Sequence, residues 1–241
     1  MERDEYEVMY RIEDGFWWYR GLHDWVRREL PPGAHLDAGC GTGRLLELCS
    51  RDARPLGVDL SAHALEFTRR RGAFPLARAS LTALPFAGAR FDVVTSCDVL
   101  SEIGAPGDAA ALAEINRVLK PGGRLILNLP AYPWLASQHD RAVNTQRRYR
   151  AGEVRALLTD AGLTVRRLSY RVCALFPVIA AVRLWQRLAP APPAVRSDLA
   201  PVTGLLDRLL SFYLTLENRL ITSGFPLPFG LSISAVAEKP G

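Results

Sequence analysis

The apolar positions of the chain change period several times. Across residues 5–30, Tyr6, Met9, Tyr10, Phe16, Trp17 and Trp18, then Leu22, Trp25, Val26 and Leu30, recur at helical spacing. Gly15 and Gly21 are expected to break this stretch into pieces, and Pro31-Pro32-Gly33 to end it. Short strand-like runs follow at His35–Ala38, Pro55–Asp59, Phe74–Arg78, Phe91–Ser96, Arg124–Leu129, Leu163–Ser169 and Leu231–Ala237. Between them lie helical patterns at Arg44–Arg51, at Ala62–Arg71 with Ser61 as N-cap, at Ala109–Leu119 stopped by Pro121-Gly122-Gly123, and at Ala151–Ala161 ended by Gly162. The run Phe-Asp-Val-Val-Thr-Ser is apolar enough for a strand covered on both faces. This alternation predicts an α/β fold with a seven-stranded, mostly parallel sheet and helices on both faces.

The last two strands are separated by residues 170–230, which carry two more helical patterns, around Leu175–Leu188 and Leu205–Ile221. Between these, Ala189–Val195 (Ala-Pro-Ala-Pro-Pro-Ala-Val) cannot be helix interior and reads as a loop. The expected organisation is an N-terminal helical segment over 1–33, an α/β domain over 34–169 and 231–241, and a helical insertion over 170–230.

A length of 241 residues suits one large domain or one domain with a sizeable insertion. With 49% hydrophobic and 23% charged residues, a disordered chain is excluded. Cys40, Cys49, Cys97 and Cys173 are scattered without a C-x-x-C pair, which argues against a zinc ribbon or disulfide framework and for a reducing compartment. Met1–Asp14 is charged and has no apolar core of a signal peptide. The longest apolar stretch, Val172–Val182, contains Pro177 and falls short of the roughly 18 residues of a membrane span. A cytoplasmic protein is expected. The net charge is +5, and Lys120 and Lys239 are the only lysines among the cations. This arginine bias reads as GC-rich coding, or locally as an anion grip at Arg141, Arg147, Arg148 and Arg150.

The chemistry centres on Leu36-Asp37-Ala38-Gly39-Cys40-Gly41-Thr42-Gly43, a strand, a glycine turn and a helix start. Glycines let the backbone turn sharply and approach a ligand closely. The second strand ends in Gly57-Val58-Asp59-Leu60, which places a carboxylate to accept from two ribose hydroxyls. A nicotinamide site would show G-x-G-x-x-G, whereas this chain has G-x-G-x-G with Arg44 three residues after Gly41. The alternative is S-adenosylmethionine, which carries no phosphate.

The loop resembles motif I of the class I S-adenosylmethionine-dependent methyltransferases. Ala79–Phe86 resembles the motif that reaches adenine, Phe91–Leu100 the fourth strand and its exit, and Leu112–Leu127 the helix, turn and fifth strand of the small-molecule branch. Five motifs lie in register over residues 35–170, closest to the type 11, ubiquinone and menaquinone methyltransferase-like branch. The resemblance implies a Rossmann-like sheet, S-adenosyl-L-methionine as cofactor and S-adenosyl-L-homocysteine as product. It implies binding by Asp37, Gly39, Cys40, Gly41 and Gly43, by Asp59 and Leu60 at the ribose, by Ser80 and Leu81 at the adenine, and by Cys97. Ser80 stands where relatives often carry an acid, and Ser101-Glu102 where many carry Glu-His.

The implied reaction is in-line displacement of a methyl group from a sulfonium. Holding the reactants together supplies up to about 7–11 kcal/mol, and a general base adds about 10²–10⁴-fold for a hydroxyl nucleophile. Candidate bases are His139, Tyr132 and Glu102. Phe16-Trp17-Trp18-Tyr19-Arg20 reads either as core packing or as a lid in which an aromatic such as Trp18 meets the sulfonium and Arg20 pairs with the methionine carboxylate. His63 belongs near the adenosine or in solvent, and His23 and His35 are expected to have no chemical role. The insertion is expected to cap the acceptor pocket, with a homodimer surface or a peripheral membrane face as alternatives. The expected acceptor is a small molecule, either a secondary metabolite or a lipid- or sugar-linked precursor. Nucleic acid is not expected: no Asn/Asp-Pro-Pro-Tyr/Phe segment follows the fourth strand, and Cys97 follows Ser96 rather than proline. The rivals are a nucleic-acid methyltransferase, a cofactor-binding scaffold and a non-methylating enzyme such as a cyclase.

Overall fold

In the computed structural model, which describes residues 3–50, 53–188 and 204–241, α1 (Arg3–Ile12) and α2 (Trp17–Glu29) lead into β1 (Gly33–Ala38). Next come α3 (Arg44–Cys49), β2 (Ala53–Asp59), α4 (Ala62–Arg71), β3 (Leu76–Arg78), β4 (Phe91–Cys97), α5 (Leu100–Ile103), α6 (Gly107–Val118) and β5 (Leu119–Pro130). The chain ends with α7 (Gln138–Ala142), α8 (Ala151–Asp160), β6 (Thr164–Arg171), α9 (Phe176–Leu188), α10 (Leu205–Thr222) and β7 (Ser232–Glu238). The proline-rich stretch 189–195 lies outside the described residues, as do the side chains of residues 138–139.

The strands form one sheet in the order β3-β2-β1-β4-β5-β7-β6. β7 runs antiparallel between β5 and β6, and the other neighbouring pairs are parallel. Alternate residues of a strand point to opposite faces. Val94 and Leu125 therefore enter a core shared with Leu112 and Ile115 of α6 and Leu158 of α8. Their neighbours Val93 and Ile126 enter a second core with Trp25 and Val26 of α2 and Ile221 of α10. This two-sided burial is why β4 and β5 read as unbroken apolar runs rather than alternating ones.

Three local expectations are corrected. Gly21 does not break a helix: it lies inside α2, where a Cβ would stand 2.2 Å from Leu214 Cδ1 of α10. The glycine permits close approach of two helices. The helix before Pro121-Gly122-Gly123 ends earlier, at Val118, because Leu119 already pairs with Phe91. Regular pairing resumes at Arg124 opposite Val93, so the three residues form an irregularity within β5. A short helix, α5, follows β4 where the sequence showed no separate element.

The insertion is anchored by buried polar bonds. Arg171, 1% exposed at the end of β6, donates from Nη2 to Gly21 O (2.9 Å) and Asn218 Oδ1 (3.1 Å). Asn218 Nδ2 also donates to Gly21 O at 2.8 Å. Glu217 accepts from the backbone N–H groups of Val172 (2.5 Å) and Cys173 (2.8 Å). These bonds tie α10 to α2 and to the start of the insertion.

Candidate functional site

The turn after β1 is held by its own backbone. Gly39 N and Cys40 N donate to Val58 O at 2.8 and 3.0 Å. Gly39 has φ +89°, and a side chain there would come within 2.1 Å of Val99 Cγ2. Gly41 also has positive φ. The loop is therefore a cradle that only glycine fits at these positions. Gly43 differs: it caps α3 in the left-handed region, and its missing Cβ makes room for Thr68 of α4. It does not line the cavity described below, so its part is to bring two helices together rather than to touch a ligand.

Asp59, at the end of β2, accepts from Gly41 N (2.9 Å) and Ser61 N (2.8 Å), one on each carboxylate oxygen. A carboxylate has about four acceptor sites, so each oxygen keeps capacity for a ligand hydroxyl. Burial pushes its carboxyl above the ordinary value, against the pull of these backbone donors. Asp37 of β1 accepts from Thr95 Oγ1 at 2.7 Å. His35 Nε2 lies 2.8 Å from the same hydroxyl. Burial lowers the His35 imidazole to about 4 and raises the Asp37 carboxyl to about 7. With His35 neutral and Asp37 ionised, the chain runs from imidazole N–H to hydroxyl to carboxylate.

Asp98 follows β4 with φ +62°. Both its oxygens accept from Asn128 Nδ2 of β5, at 3.0 and 3.1 Å. Burial raises it to about 6. Glu102 of α5 is raised to about 7 by burial, with Asp59 and Asp98 adding repulsion. Three carboxyl groups thus titrate near neutral pH in one place, a pattern typical of functional sites.

Asp37, Asp59, Asp98 and Glu102 face one cavity of about 910 Å³. Its lining brings together Asp37, Gly39, Cys40, Gly41, Asp59, Leu60, Ser80, Leu81 and Cys97 from the sheet's carboxyl ends, and Trp18 and Glu102 with them. Phe16, Trp17, Tyr19 and Leu22 of the N-terminal segment also line it. Beyond lie Pro130, Leu135, Ser137, Asp140, Arg148, Leu175 and Ile179, from the β5 exit and the insertion.

Two candidate residues stand elsewhere. Arg20 is outside the lining; its guanidinium is engaged by Asp207 and Ser211 of α10, so it does not meet a methionine carboxylate here. Tyr132 is also outside: it stacks on Tyr170 with ring centroids 5.1 Å apart and packs against Phe176. Its ring lies among the aromatics of β6 and the insertion. His139 sits on α7, and its side chain lies outside the described residues. Of the arginines considered for an anion grip, Arg147 pairs with Asp108 at 2.7 Å and Arg148 with Asp140 at 2.8 Å.

From the sequence, His23 is expected to have no chemical role and Asp98 is not singled out. His23 lines the cavity, stacks on Tyr19 at 6.2 Å and is held neutral, with burial lowering it to about 3. The i,i+4 spacing of Tyr19 and His23 on one helix face was the available signal. For Asp98, the signal was its place at a central strand's carboxyl end.

A glycine cradle followed by a backbone-oriented carboxylate fits a nucleoside without a pyrophosphate, as the resemblance to class I S-adenosylmethionine-dependent methyltransferases implies. Residues 36–127 match the family described as "Methyltransferase domain". The matched stretch contains the glycine cradle and Asp59. Demethylmenaquinone methyltransferase of Symbiobacterium thermophilum is 34% identical over 136 residues, covering 51% of this chain and 53% of that protein. Probable tRNA methyltransferase 9B of Bos taurus is 32% identical over 126 residues, covering 52% of this chain and 26% of that protein. The chain thus spans about half the length of one relative and a quarter of the other. Among solved structures, a chain of the complex between the Haloferax volcanii Trm112 methyltransferase activator and a methyltransferase superposes with TM-score 0.63. That match has 21% identity and covers 99% of this chain and 97% of that one, a likeness of fold.

Proposed function

We propose that the chain transfers a methyl group from S-adenosylmethionine to a small-molecule acceptor, with Glu102 as general base. The observation that carries this reading is a shared cavity: the nucleoside cradle at Gly41 and Asp59 and an apolar-polar wall at Leu135, Ser137, Leu175 and Ile179 line the same space. About 910 Å³ lies within the range of small-molecule sites.

When bound, the cofactor supplies an electrophilic methyl group on a sulfonium. The chain's own residues position and protect the reactants. Asp59 clasps the ribose hydroxyls, and Leu60, Ser80 and Leu81 border the adenine. Trp18, Tyr19 and His23 of α2 form a lid that keeps water out. Glu102 takes the proton from the acceptor's hydroxyl or amine as the new bond to carbon forms. A carboxyl held near 7 is well matched to that task at neutral pH. His139 is the second candidate base.

The test is formation of S-adenosylhomocysteine with a panel of phenolic, amine and prenylated acceptors. Turnover with one class and mass gain of a methyl group on the acceptor are expected. Cofactor binding with no turnover on any member would sink the small-molecule reading. The likeness to a probable tRNA methyltransferase favours a second reading, methylation of tRNA, which salt-sensitive oligonucleotide binding and methyl incorporation into tRNA would support.

A further inference from the structure

The two insertion helices expose more apolar surface than a solvated helix pair needs. On α9, Val178, Val182 and Trp185 face outward, and Trp185 is 74% exposed. The adjacent face of the same helix, at Ile179 and Arg183, lines the cavity. On α10, Leu205, Leu209, Phe212, Leu216 and Leu220 recur at intervals of three and four residues, all exposed, with Phe212 at 62%. The opposite face of α10, through Leu214, Asn218 and Ile221, is buried against α2. Each helix thus has one side turned to the rest of the chain and an apolar side unpartnered among the described residues. Large exposed apolar faces mark interaction sites.

The charges select the partner. The described carboxylates of α9 and α10 both turn inward. Asp207 accepts from Trp17 N at 3.1 Å and from Arg20, while Glu217 is 3% exposed and bonded to the backbone that opens the insertion. Arg208 and Arg219 are exposed on α10. The outer surface therefore offers apolar side chains and positive charge, without exposed described carboxylates. That combination suits a helix lying in the interface of an anionic bilayer. No described helix is long and apolar enough to cross a membrane, so these helices would lie on it.

We infer that the α9–α10 surface docks the chain on an anionic lipid bilayer, setting the cavity wall built by α9 against the headgroups. It goes beyond methyl transfer in naming a surface, and rests on that reading only where it implies an acceptor that is a membrane amphiphile. Docking itself needs only the exposed face.

The test is flotation of the full chain with vesicles of phosphatidylcholine containing about one third phosphatidylglycerol, against pure phosphatidylcholine vesicles. Binding to the anionic vesicles is expected. The double variant Trp185→Glu, Phe212→Glu should lose it by about tenfold or more, since it places charge on an apolar face. Its affinity for S-adenosylhomocysteine, by calorimetry, should match that of the unaltered chain, which also reports that it is folded. Arg208→Ala should weaken binding about fivefold on anionic vesicles only. As a second readout, brominated lipid should quench emission from the unaltered chain more than from Trp185→Phe. Absence of vesicle binding, or equal binding by the double variant, would overturn the proposal. A dimer in sedimentation velocity that the double variant splits, without vesicle binding, would assign the face to a second copy instead. Vesicle binding by a chain that does not bind S-adenosylhomocysteine would uphold docking and overturn methyl transfer.

Discussion

Thr95 Oγ1 lies 2.7 Å from Asp37 Oδ1, so a hydroxyl on β4 holds a cavity carboxylate on the neighbouring strand β1. The same hydroxyl meets His35 Nε2, which makes Thr95 the middle of a buried three-residue line. Thr95→Val keeps the shape and removes both bonds. A hydrogen bond to a charged group is worth about 1.5–3 kcal/mol. The Asp37 carboxyl should rise beyond about 7, and affinity for S-adenosylhomocysteine should fall near neutral pH and recover as pH is raised. Calorimetric titrations on both sides of neutrality check this; a pH-independent loss would mean that Asp37 is not the affected group.

Asp59→Ala removes two acceptors aimed by the backbone of Gly41 and Ser61. With charge-assisted bonds worth about 1.5–3 kcal/mol each, cofactor affinity should drop by about a hundredfold or more. Asp59→Asn, which keeps one acceptor oxygen, should fall between. Unchanged binding by the alanine variant would remove Asp59 from the ribose role.

Glu102 gives a pH signature of definite sign. Its folded value of about 7 lies above the ordinary 4.5. Between these values the folded chain binds more protons than the unfolded chain, so its contribution to stability declines as pH rises through that window. Asp37 and Asp98 share the window, and Glu102→Gln isolates one share. Above neutral pH the glutamine variant should show the higher Tm. Turnover of the unaltered chain should rise as pH passes about 7, and the variant should lose about 10²–10⁴-fold. Full activity in the variant would clear Glu102 and leave His139 to be tested.

Gly21→Ala should destabilise the chain by about 1–3 kcal/mol, because the new methyl group meets Leu214. Leu214→Ala alone should cost about 2–5 kcal/mol from the cavity it leaves. The double substitution should cost less than the sum, since each relieves the other. Denaturant unfolding of the four chains tests the coupling; strict additivity would mean that the helices do not meet here.

The sequence revealed most where the determinants were local. The loop from Gly39 to Gly43 and the carboxylate of Asp59 each sit at the end of a short strand whose apolar run is readable by itself. It revealed least where a distant element decides. Arg20 looked available for a ligand because its partners, Asp207 and Ser211, come from the insertion. Tyr132 looked like a base because Tyr170 and Phe176 were not visible as its neighbours. Gly21 looked like a helix break because a local rule cannot see Leu214 arriving from α10. The cavity's acceptor wall was legible only as a region, since Ser137, Asp140, Leu175 and Ile179 meet through the fold and not through spacing.

Arg171 and Ser232 are paired neighbours on β6 and β7. The excursion between them leaves and returns at a single rung of the sheet, as an oversized hairpin turn would. Its contents can lengthen, shorten or be exchanged without re-registering any strand. A lineage or an engineer could therefore retailor α9 and what this chain reaches, provided that α10 keeps its hold on α2.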